Sequence, residues 1–383
     1  MIAWWRRLQR QRAEARRFRE IPPEERRIVV YSEGRGYWTH FEPVVTALVR
    51  DHGERVLYVT SDEADPVYRS PPPGVQAFWI GDGSVRTLFF AGLQCRMLLM
   101  TLPDLHSYQL KRSPHGVYYV YLHHSMVSTH MIYRAAAFDH FDAVLCTGPH
   151  HVEEIRTREQ QQGLPDKQLV EHGYGRLDGI LAQEARGPVV RSETESPQVL
   201  VAPTWGDNAL LERHGVDAVR PLLEAGLRVV LRPHPRTCQR AAAVIDAIVD
   251  EVGAQEGFTL DMDTDGRDSL LGSDLMISDW SGAALEFALG LERPVLFVDV
   301  PRKVNNPDYE ALGIEPLEAR IREQVGRVVA PDDLAALGER CREVLAEPQR
   351  WRQCVVEARH QWVFHPGDSG RVAAEWLCRS LQR

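Results

Sequence analysis

Residues 276–301 read MISDWSGAALEFALGLERPVLFVDVP, and this stretch decides the fold class. An apolar run ends at Asp279, a tight turn follows, a helix continues to about Gly290, and a second apolar run begins at Pro294. Strand, turn, helix and strand in this order are typical of a parallel sheet whose strands are joined by crossover helices. The sequence therefore predicts an α/β protein.

The turn in this stretch predicts a phosphate-binding site. Ser281, Gly282 and Ala283 begin the helix at the carboxyl end of the preceding strand. Free backbone N–H groups and the helix dipole attract phosphate at such a position, and ligands of open α/β sheets bind at that edge. Ser281 can equally be a plain N-cap, and the two roles are compatible.

The rest of the chain alternates strands and helices on both sides of a polar linker at residues 184–197. Repeated βαβ units predict two Rossmann-like halves, residues 21–185 and 198–383, preceded by a basic segment at 1–20. The predicted strands are 28–31, 55–59, 75–80, 96–100, 117–122 and 142–146 in the first half, and 199–202, 228–231, 274–278 and 294–298 in the second. The predicted helices are 40–52, 84–94, 126–137 and 150–162, with three more in the tail at 331–383.

Composition limits the class of protein. The chain has 383 residues, a net charge of −9 and six cysteines without a C-x-x-C pair. Two soluble domains and reduced thiols in the cytoplasm are the expected result. An acidic chain is not a general nucleic-acid binder. No apolar run is long enough to span a membrane, and residues 1–20 lack the apolar core of a signal peptide.

Several polar residues follow predicted strands, where ligands bind. His234 lies between two prolines that stiffen its loop, so its imidazole can donate to a phosphate or act in proton transfer. Arg232 and Arg236 flank it and can pair with a pyrophosphate. Gly34 and Gly36 follow the first strand and suit a loop that an acceptor or donor approaches, although a lone G-x-G is weak support for dinucleotide binding.

Four motifs stand in an order that resembles a known family. SDWSG followed by EF at 278–287 is similar to DYSS…FDF, YGRLD at 174–178 to GYPRxD, APTW at 202–205 to APT[YW], and RPHP at 232–235 matches outright. Asp368 lies where the family has D-G. These motifs, spread over residues 115–375, resemble the CDP-glycerol glycerophosphotransferases, which are teichoic-acid and capsule enzymes. The departures are His123-His124-Ser125 for WHG, Gly175 for proline, and Gly282 for the second serine of DYSS.

The resemblance implies a GT-B fold, with two Rossmann-like domains facing a cleft. It also implies transfer of an alditol phosphate, chiefly glycerol phosphate, from a CDP-alditol to a hydroxyl of a glycan or polyol-phosphate acceptor, with release of CMP. His124 falls at the place of the family's base, and a slip of one residue would choose His123 instead. Asp279 and Glu286 fall in the donor motif, with Glu286 where an acid binds the nucleotide ribose, and Thr204 falls in a cleft loop.

Two alternatives stay open from the sequence. One is a nucleotide-sugar glycosyltransferase on the same fold, and the other is a non-catalytic, membrane-associated relict of the family. No cofactor besides the donor substrate is expected. No metal is expected either, because the adjacent His123 and His124 point to opposite sides of an extended chain and cannot easily bind the same ion. The acidic loop at 261–266 starts like a calcium loop, but Gly272 stands where the bidentate glutamate is required.

The N-terminal segment leaves two readings open as well. Residues 1–20 hold seven arginines and two glutamates, interleaved with Trp4, Trp5 and Leu8. Such a segment favours contact with an anionic membrane surface, which suits the lipid-linked acceptors of the family and a location on the inner face of the plasma membrane. The alternative is a solvated helix or a frayed terminus whose tryptophans pack on the body.

Overall fold

The computed structural model describes residues 2–107, 110–187, 196–263 and 267–382, which form two compact units. The first unit comprises 1–125, 133–179 and 363–383, and the second comprises 126–132 and 180–362. Residues 188–195 of the predicted linker lie outside the described residues.

The first unit is built on a parallel sheet with the strand order β3-β2-β1-β4-β5-β6-β7 among its described residues. The strands are β1 Ile28–Ser32, β2 Val56–Thr60, β3 Val75–Trp79, β4 Met97–Met100, β5 Tyr118–Leu122, β6 Ala143–Cys146 and β7 Gln168–Glu171. The sequence predicted all of them except β7. This strand lies at the edge of the sheet and buries only Val170, so it has no apolar run that could be recognised.

The second unit repeats this architecture with the parallel order β10-β9-β8-β11-β12-β13. The strands are β8 Gln198–Val201, β9 Arg228–Leu231, β10 Phe258–Leu260, β11 Leu275–Ser278, β12 Val295–Val298 and β13 Gly326–Val329. The sequence missed β10 and β13, the two short edge strands. The central strands are buried except for Arg228 at the start of β9, and they were predicted within a residue or two.

The helices of the described residues cover both sheets. They are α1 Ile2–Arg19, α2 Trp38–His52, α3 Pro66–Arg69, α4 Ser84–Ala91, α5 Thr129–Ile132, α6 Pro149–Gln162, α7 Gly175–Arg186, α8 Leu210–His214, α9 Arg220–Glu224, α10 Pro235–Arg240, α11 Ala242–Val252, α12 Arg267–Leu271, α13 Gly282–Leu291, α14 Leu317–Arg320, α15 Arg322–Val325, α16 Leu337–Leu345, α17 Pro348–Trp362 and α18 Ser369–Leu381. The three tail helices predicted from the sequence are α16, α17 and α18.

The predicted helix at 126–137 is wrong, because only the single turn α5 forms there. Polar groups of this segment bond to helix α14 and to the loop after β12. The carboxylate of Glu318 accepts from the backbone N–H and the hydroxyl of Ser128 at 3.0 and 3.1 Å. The amide of Asn306 donates to the carbonyl of His130 at 2.8 Å. Sequence periodicity does not show such long-range partners.

The last helix, α18, belongs to the first unit and not to the second domain in which the sequence placed it. Helix α18 packs on α2, and Ala373, Ala374 and Leu377 join the apolar core of the first unit. Asp178 fixes the start of this helix by accepting from the backbone N–H groups of Gly367 and Ser369 at 2.7 and 2.8 Å. The sequence placed this helix in the second domain, because an amphipathic pattern shows which helix face is apolar but not which domain it covers.

Helix α1 is an integral part of the first unit. Phe18 lies edge-on to Phe78 and Phe89, with ring centres 5.3 and 4.8 Å apart. Trp4 and Trp5, in contrast, are 63% and 53% exposed. The structure therefore contradicts the reading in which the terminus frays or its tryptophans pack on the body. No helix in the described part of the chain has the length and apolar character needed to cross a membrane.

Candidate active site

His234 begins helix α10 at the carboxyl edge of the second sheet. Its Nδ1 accepts a hydrogen bond from the backbone N–H of Arg236 at 3.1 Å, so the neutral imidazole carries its proton on Nε2. Burial, Lys303 and Arg236 lower the pKa of His234 to about 4. The ring is therefore neutral at pH 7 and presents a hydrogen-bond donor. Of the two roles predicted from the sequence, the structure favours donation to a phosphate over proton removal.

A cluster of cations surrounds Trp205 beside this histidine. The ammonium of Lys303 and the guanidinium groups of Arg236 and Arg240 lie 4.4, 4.7 and 5.3 Å from the centre of the indole ring. The His234 ring lies 6.1 Å away. We call these four residues and Trp205 the Trp205 cluster. Converging positive charge makes it suited to bind a polyanion such as a diphosphate.

Lys303 is a functional candidate that the sequence reasoning missed. Its Nζ donates to Oγ1 of Thr204 at 2.7 Å. Burial lowers the pKa of Lys303 to about 8, although Asp279 acts in the opposite direction, so most of the group stays charged at pH 7. Its position soon after β12 was the available signal, because that strand ends at the same edge as β9.

Asp279 and Thr204 lie together under the Trp205 cluster. The buried carboxylate of Asp279 accepts from the backbone N–H groups of Thr204 and Leu210 at 2.7 and 3.0 Å. Burial raises the pKa of Asp279, and these backbone hydrogen bonds oppose the increase. The carboxylate therefore holds the loop after β8 in place, which orients the Thr204 hydroxyl toward Lys303. Direct donor binding by Asp279 stays a prediction.

The turn before helix α13 forms as predicted, with Ser281 as its N-cap. The Ser281 hydroxyl accepts from the backbone N–H of Ala283 at 3.3 Å, so this N–H group is already used within the protein. Ser281 and Gly282 are half-buried at the start of the helix. Glu286 is 9% exposed, so its side chain lies in the interior and not at the surface.

Arg232 contacts helix α12. Its Nη1 donates to the hydroxyl of Ser269 at 3.3 Å, and the side chain is half-buried. Arg236 is exposed and lies over the Trp205 ring. Of the two arginines that flank His234, the structure therefore brings only Arg236 into the cluster.

His124 occupies the carboxyl edge of the first sheet, after β5. Its Nδ1 lies 3.2 Å from the hydroxyl of Tyr121. The rings of Tyr37, Tyr133 and His40 surround it at 5.6, 6.0 and 6.2 Å. Burial lowers the pKa of His124 to about 4, and a hydrogen bond to the backbone of Thr101 acts in the opposite direction. His124 is therefore neutral at pH 7, and its side chain is half-buried.

His123 is a packing residue by comparison. It is 1% exposed, and its ring stacks on that of His151 with centres 3.8 Å apart. Burial and the neighbouring histidines His151 and His124 hold the pKa of His123 well below its usual value. Of the two adjacent histidines, His124 is the one that a substrate can reach.

The YGRLD motif supports the loop that carries His124. Tyr174 is buried, and its hydroxyl donates to the backbone carbonyl of His124 at 3.1 Å. A Cβ atom at Gly175 would lie 2.9 Å from the carbonyl oxygen of His40, so the small residue permits close contact with α2. Asp178 fixes α18, as described above. The motif therefore acts on the site through positioning.

The loop at 33–36 lies at the same edge of the first sheet. A Cβ atom at Gly34 would lie 3.2 Å from Cβ of Asp62, whereas one at Gly36 would meet only open space. Arg35 forms an ion pair with Asp62 at 3.0 Å and fixes the loop. Burial raises the pKa of Glu33 to about 7, against opposing effects of Arg86 and Tyr37. The loop can therefore receive a ligand near Gly36, and its role stays a prediction.

No group of three or more His, Cys, Asp or Glu side chains within the described residues could hold a metal ion. Residues 264–266 of the acidic loop lie outside the described part of the chain.

The two units define the class of protein. Each is a parallel α/β sheet with candidate site residues at its carboxyl edge, which is the construction of a GT-B fold. Structures of the wall teichoic acid polymerase TagF match with a TM-score of 0.63 and 14% identity, covering 98% of this chain and 94% of that chain. A TagF structure soaked with CDPG gives a TM-score of 0.61 at 13% identity, with the same coverage.

Epimerases have the same fold. A putative UDP-N-acetylglucosamine 2-epimerase from Listeria monocytogenes has a TM-score of 0.61 and 15% identity, with 93% of this chain and 96% of that chain covered. The Methanocaldococcus jannaschii UDP-GlcNAc 2-epimerase in complex with UDP-GlcNAc and UDP has a TM-score of 0.58 and 13% identity, with 92% and 99% covered. At such identities these likenesses show the fold alone.

A family model matches part of the sequence. The profile of the CDP-glycerol:poly(glycerophosphate) glycerophosphotransferases matches residues 122–302, a range that contains His124, His234 and the Ser281 turn. This match, over just under half of the chain, confirms the resemblance drawn from the motifs and the prediction of a glycerophosphotransferase-like enzyme. No curated protein sequence matches the chain.

Proposed function

We propose that the protein transfers an alditol phosphate, in the first instance glycerol phosphate, from a CDP-alditol to a hydroxyl of a glycan or polyol-phosphate acceptor. CMP is the second product, and the reaction contributes to the synthesis of a cell-surface polymer. The observation that carries this proposal is the Trp205 cluster, which gathers three cations and a neutral histidine donor. All of its residues except Lys303, the next residue along the chain, lie within the range that the family model matches.

The cluster supplies what a diphosphate requires. Lys303, Arg236 and Arg240 provide positive charge, and the Nε2–H group of His234 provides a fixed hydrogen-bond donor. The N-terminus of α13 adds the positive end of a helix dipole. Donors that are already oriented need no reorganisation when charge develops during the reaction.

The chemical step is a displacement at phosphorus. The acceptor oxygen forms a bond to the phosphorus that carries the glycerol, and the bond from that phosphorus to the CMP oxygen breaks. The electron pair leaves with CMP, and the acceptor proton passes to His124. For Nε2 of His124 to act as the base, Nδ1 carries a proton and donates it to the oxygen of Tyr121. A tyrosine hydroxyl can accept from an Nδ1–H group, so the contact is compatible with this tautomer.

The low pKa of His124 has a consequence for this step. A base of pKa about 4 is fully deprotonated at pH 7 but accepts a proton weakly. A phosphate group of the bound acceptor would raise this pKa, because a nearby negative charge stabilises the imidazolium. Substrate binding thus makes His124 a stronger base only when there is a hydroxyl to activate.

We also place the enzyme at the inner face of the plasma membrane. Trp4 and Trp5 on α1 are exposed, and Leu88 on the adjacent helix α4 is 72% exposed. Arginines of α1 accompany them, which suits an anionic lipid surface. Contact with the membrane would bring the enzyme to a lipid-linked acceptor.

A donor screen with purified protein tests the function. CDP-glycerol, CDP-ribitol and UDP-sugars are each supplied with a glycerol-phosphate oligomer, and CMP, UMP, CDP and UDP are measured. We expect CMP from a CDP-alditol. Release of CDP or UDP from a sugar donor would assign the protein to the nucleotide-sugar glycosyltransferases. Nucleotide binding without any product would identify a non-catalytic relict.

A further inference from the structure

The second unit contains a pocket that does not involve the Trp205 cluster. It has a volume of about 500 Å3 and opens at the carboxyl ends of β12 and β13. The polar residues and the aromatic residue that line it are Trp280, Asp299, Arg302, Glu315, Arg322 and Glu323. Its volume is in the range of small-molecule sites.

Two guanidinium groups lie against the Trp280 ring. Those of Arg322 and Arg302 are 4.2 and 5.6 Å from its centre. Arg322 is 5% exposed and donates from Nη1 to Asp299 at 2.7 Å and from Nη2 to the carbonyl of Val298 at 3.2 Å. Its Nε is buried and has no hydrogen-bond partner in the described part of the chain. A buried N–H group without a partner is costly, and Arg322, which bears it, lines the pocket in a fixed orientation set by Asp299 and Val298.

The acidic residues of the pocket indicate what kind of ligand fits. Asp299, Glu315 and Glu323 are exposed at its mouth, and Glu315 accepts from Arg302 at 2.6 Å. Three carboxylates outnumber two guanidinium groups, so the pocket does not favour an anion. A hydroxyl group can donate to a carboxylate and accept from a guanidinium at the same time. This mixture therefore matches a neutral, hydroxyl-rich ligand.

We propose that this pocket binds the hydroxyl groups of a polyol or sugar unit, as a second subsite for the acceptor. The proposal rests on the proposed function, because an acceptor polymer offers such units next to the reacting end. Two links along the chain connect the pocket to the donor residues. Trp280 directly precedes Ser281, and Arg302 directly precedes Lys303. An occupant would thus lie at the same edge of the sheet as the proposed donor site.

The binding experiment uses full-length protein labelled with 5-fluorotryptophan, whose Trp280 signal is assigned with Trp280→Phe. Glycerol and lactose serve as neutral probes, and inorganic phosphate serves as the anionic probe. We expect both neutral probes to shift the Trp280 fluorine signal in a saturable manner and phosphate to leave it unchanged. Glu323→Gln should weaken lactose binding about tenfold, the size of a lost hydrogen bond to a charged group. Glu347→Gln, an exposed carboxylate outside the pocket, is the matched control.

The outcomes separate this proposal from the proposed function. A saturable shift by phosphate but not by the neutral probes would show an anion site, and no shift by any probe would show an unused cavity. Equal weakening by Glu323→Gln and Glu347→Gln would also contradict the proposal. CMP release by the unaltered protein is measured in parallel. Its absence, with neutral-probe binding intact, would contradict the proposed function while the pocket remains a polyol site.

Discussion

The carboxyl edges of the two sheets carry different chemistry, although the sheets share one architecture. Around His124 the first sheet presents uncharged groups, the rings of Tyr37, Tyr121, Tyr133 and His40. The second sheet presents the cations of the Trp205 cluster. A neutral imidazole can accept a proton, and a cation can neutralise a diphosphate. The difference indicates that the repeated fold is divided between proton removal and donor binding.

Protonation states follow this division. Burial lowers the pKa of His124 to about 4 and that of Lys303 to about 8. At pH 7 the first group is therefore neutral and the second mostly charged. Both shifts have the same cause, since burial disfavours the charged form. They end on opposite sides of neutral pH because a lysine begins about four units above a histidine.

The strongest test removes the base. We expect His124→Ala to lower turnover by about 10² to 10⁴, the usual contribution of a general base, with little change in donor affinity. Steady-state CMP release and calorimetry with CDP-glycerol measure the two quantities. Tyr121→Phe should cause a smaller loss and shift the pH profile, because it removes the partner of Nδ1.

His123→Ala is the matched control for this test. His123 is buried and stacked on His151, so its loss should lower the melting temperature and leave the turnover of folded protein nearly unchanged. The reverse pattern would identify His123 as the base. Full activity in both variants would remove this loop from the mechanism.

The second test asks whether burial keeps a histidine at the carboxyl edge of the first sheet neutral. Burial lowers the pKa of His172, after β7, to about 3 from an ordinary value of about 6.5. Above pH 6.5 neither state binds a proton. Below that value the unfolded chain takes up the proton first, so stability falls as the pH falls from about 6.5 to 3. The loss should reach on the order of 5 kcal/mol, since each pKa unit corresponds to about 1.4 kcal/mol.

Urea unfolding at a series of pH values measures this effect. His172→Met should flatten the dependence of the free energy of unfolding on pH in this range, because methionine does not titrate. An unchanged slope in the variant would show that His172 is not held neutral by the fold. Outside the pH range 3–6.5 the wild type and the variant should show parallel behaviour.

The third test addresses the Trp205 cluster at the carboxyl edge of the second sheet. Lys303→Gln should weaken CDP-glycerol binding about 10- to 100-fold, which corresponds to the loss of one charge-assisted hydrogen bond. Lys303→Arg should restore most of the affinity, and Lys111→Gln in the first unit is the matched control. Calorimetry should also show CDP binding more tightly than UDP, GDP or NAD. An unchanged donor affinity in Lys303→Gln would place the diphosphate elsewhere.

The sequence predicted the central strands and the positions of the two histidines, because buried apolar runs and strand ends are local features. It did not predict the roles of Asp178 or Lys303. Asp178 acts on residues 367 and 369, far along the chain, and Lys303 reaches Thr204 from another strand. The Ala283 N–H group was predicted to bind phosphate, but Ser281 caps it. Long-range partners of this kind depend on the packed structure.

The smallest expected effect concerns helix α1. It tests whether the first unit, whose sheet edge around His124 is uncharged, also binds an anionic membrane surface through this helix. Deleting residues 1–20 is unsuitable, because Phe18 packs against Phe78 and Phe89 and its loss would open the core. The double variant Trp4→Ala/Trp5→Ala keeps those contacts. It should reduce binding to anionic vesicles by about tenfold, since two partly inserted aromatic residues contribute on the order of 1–2 kcal/mol.

Sedimentation with anionic vesicles at low and high salt measures this binding. High salt should weaken the wild type, because the arginines of α1 act through screened charge. Arg50→Gln on α2 is the control for a general loss of positive charge. CDP-glycerol binding and turnover on a short soluble acceptor should stay unchanged in the double variant. If the wild type does not sediment with anionic vesicles at low salt, the exposed tryptophans do not serve a membrane, and α1 has only a packing role.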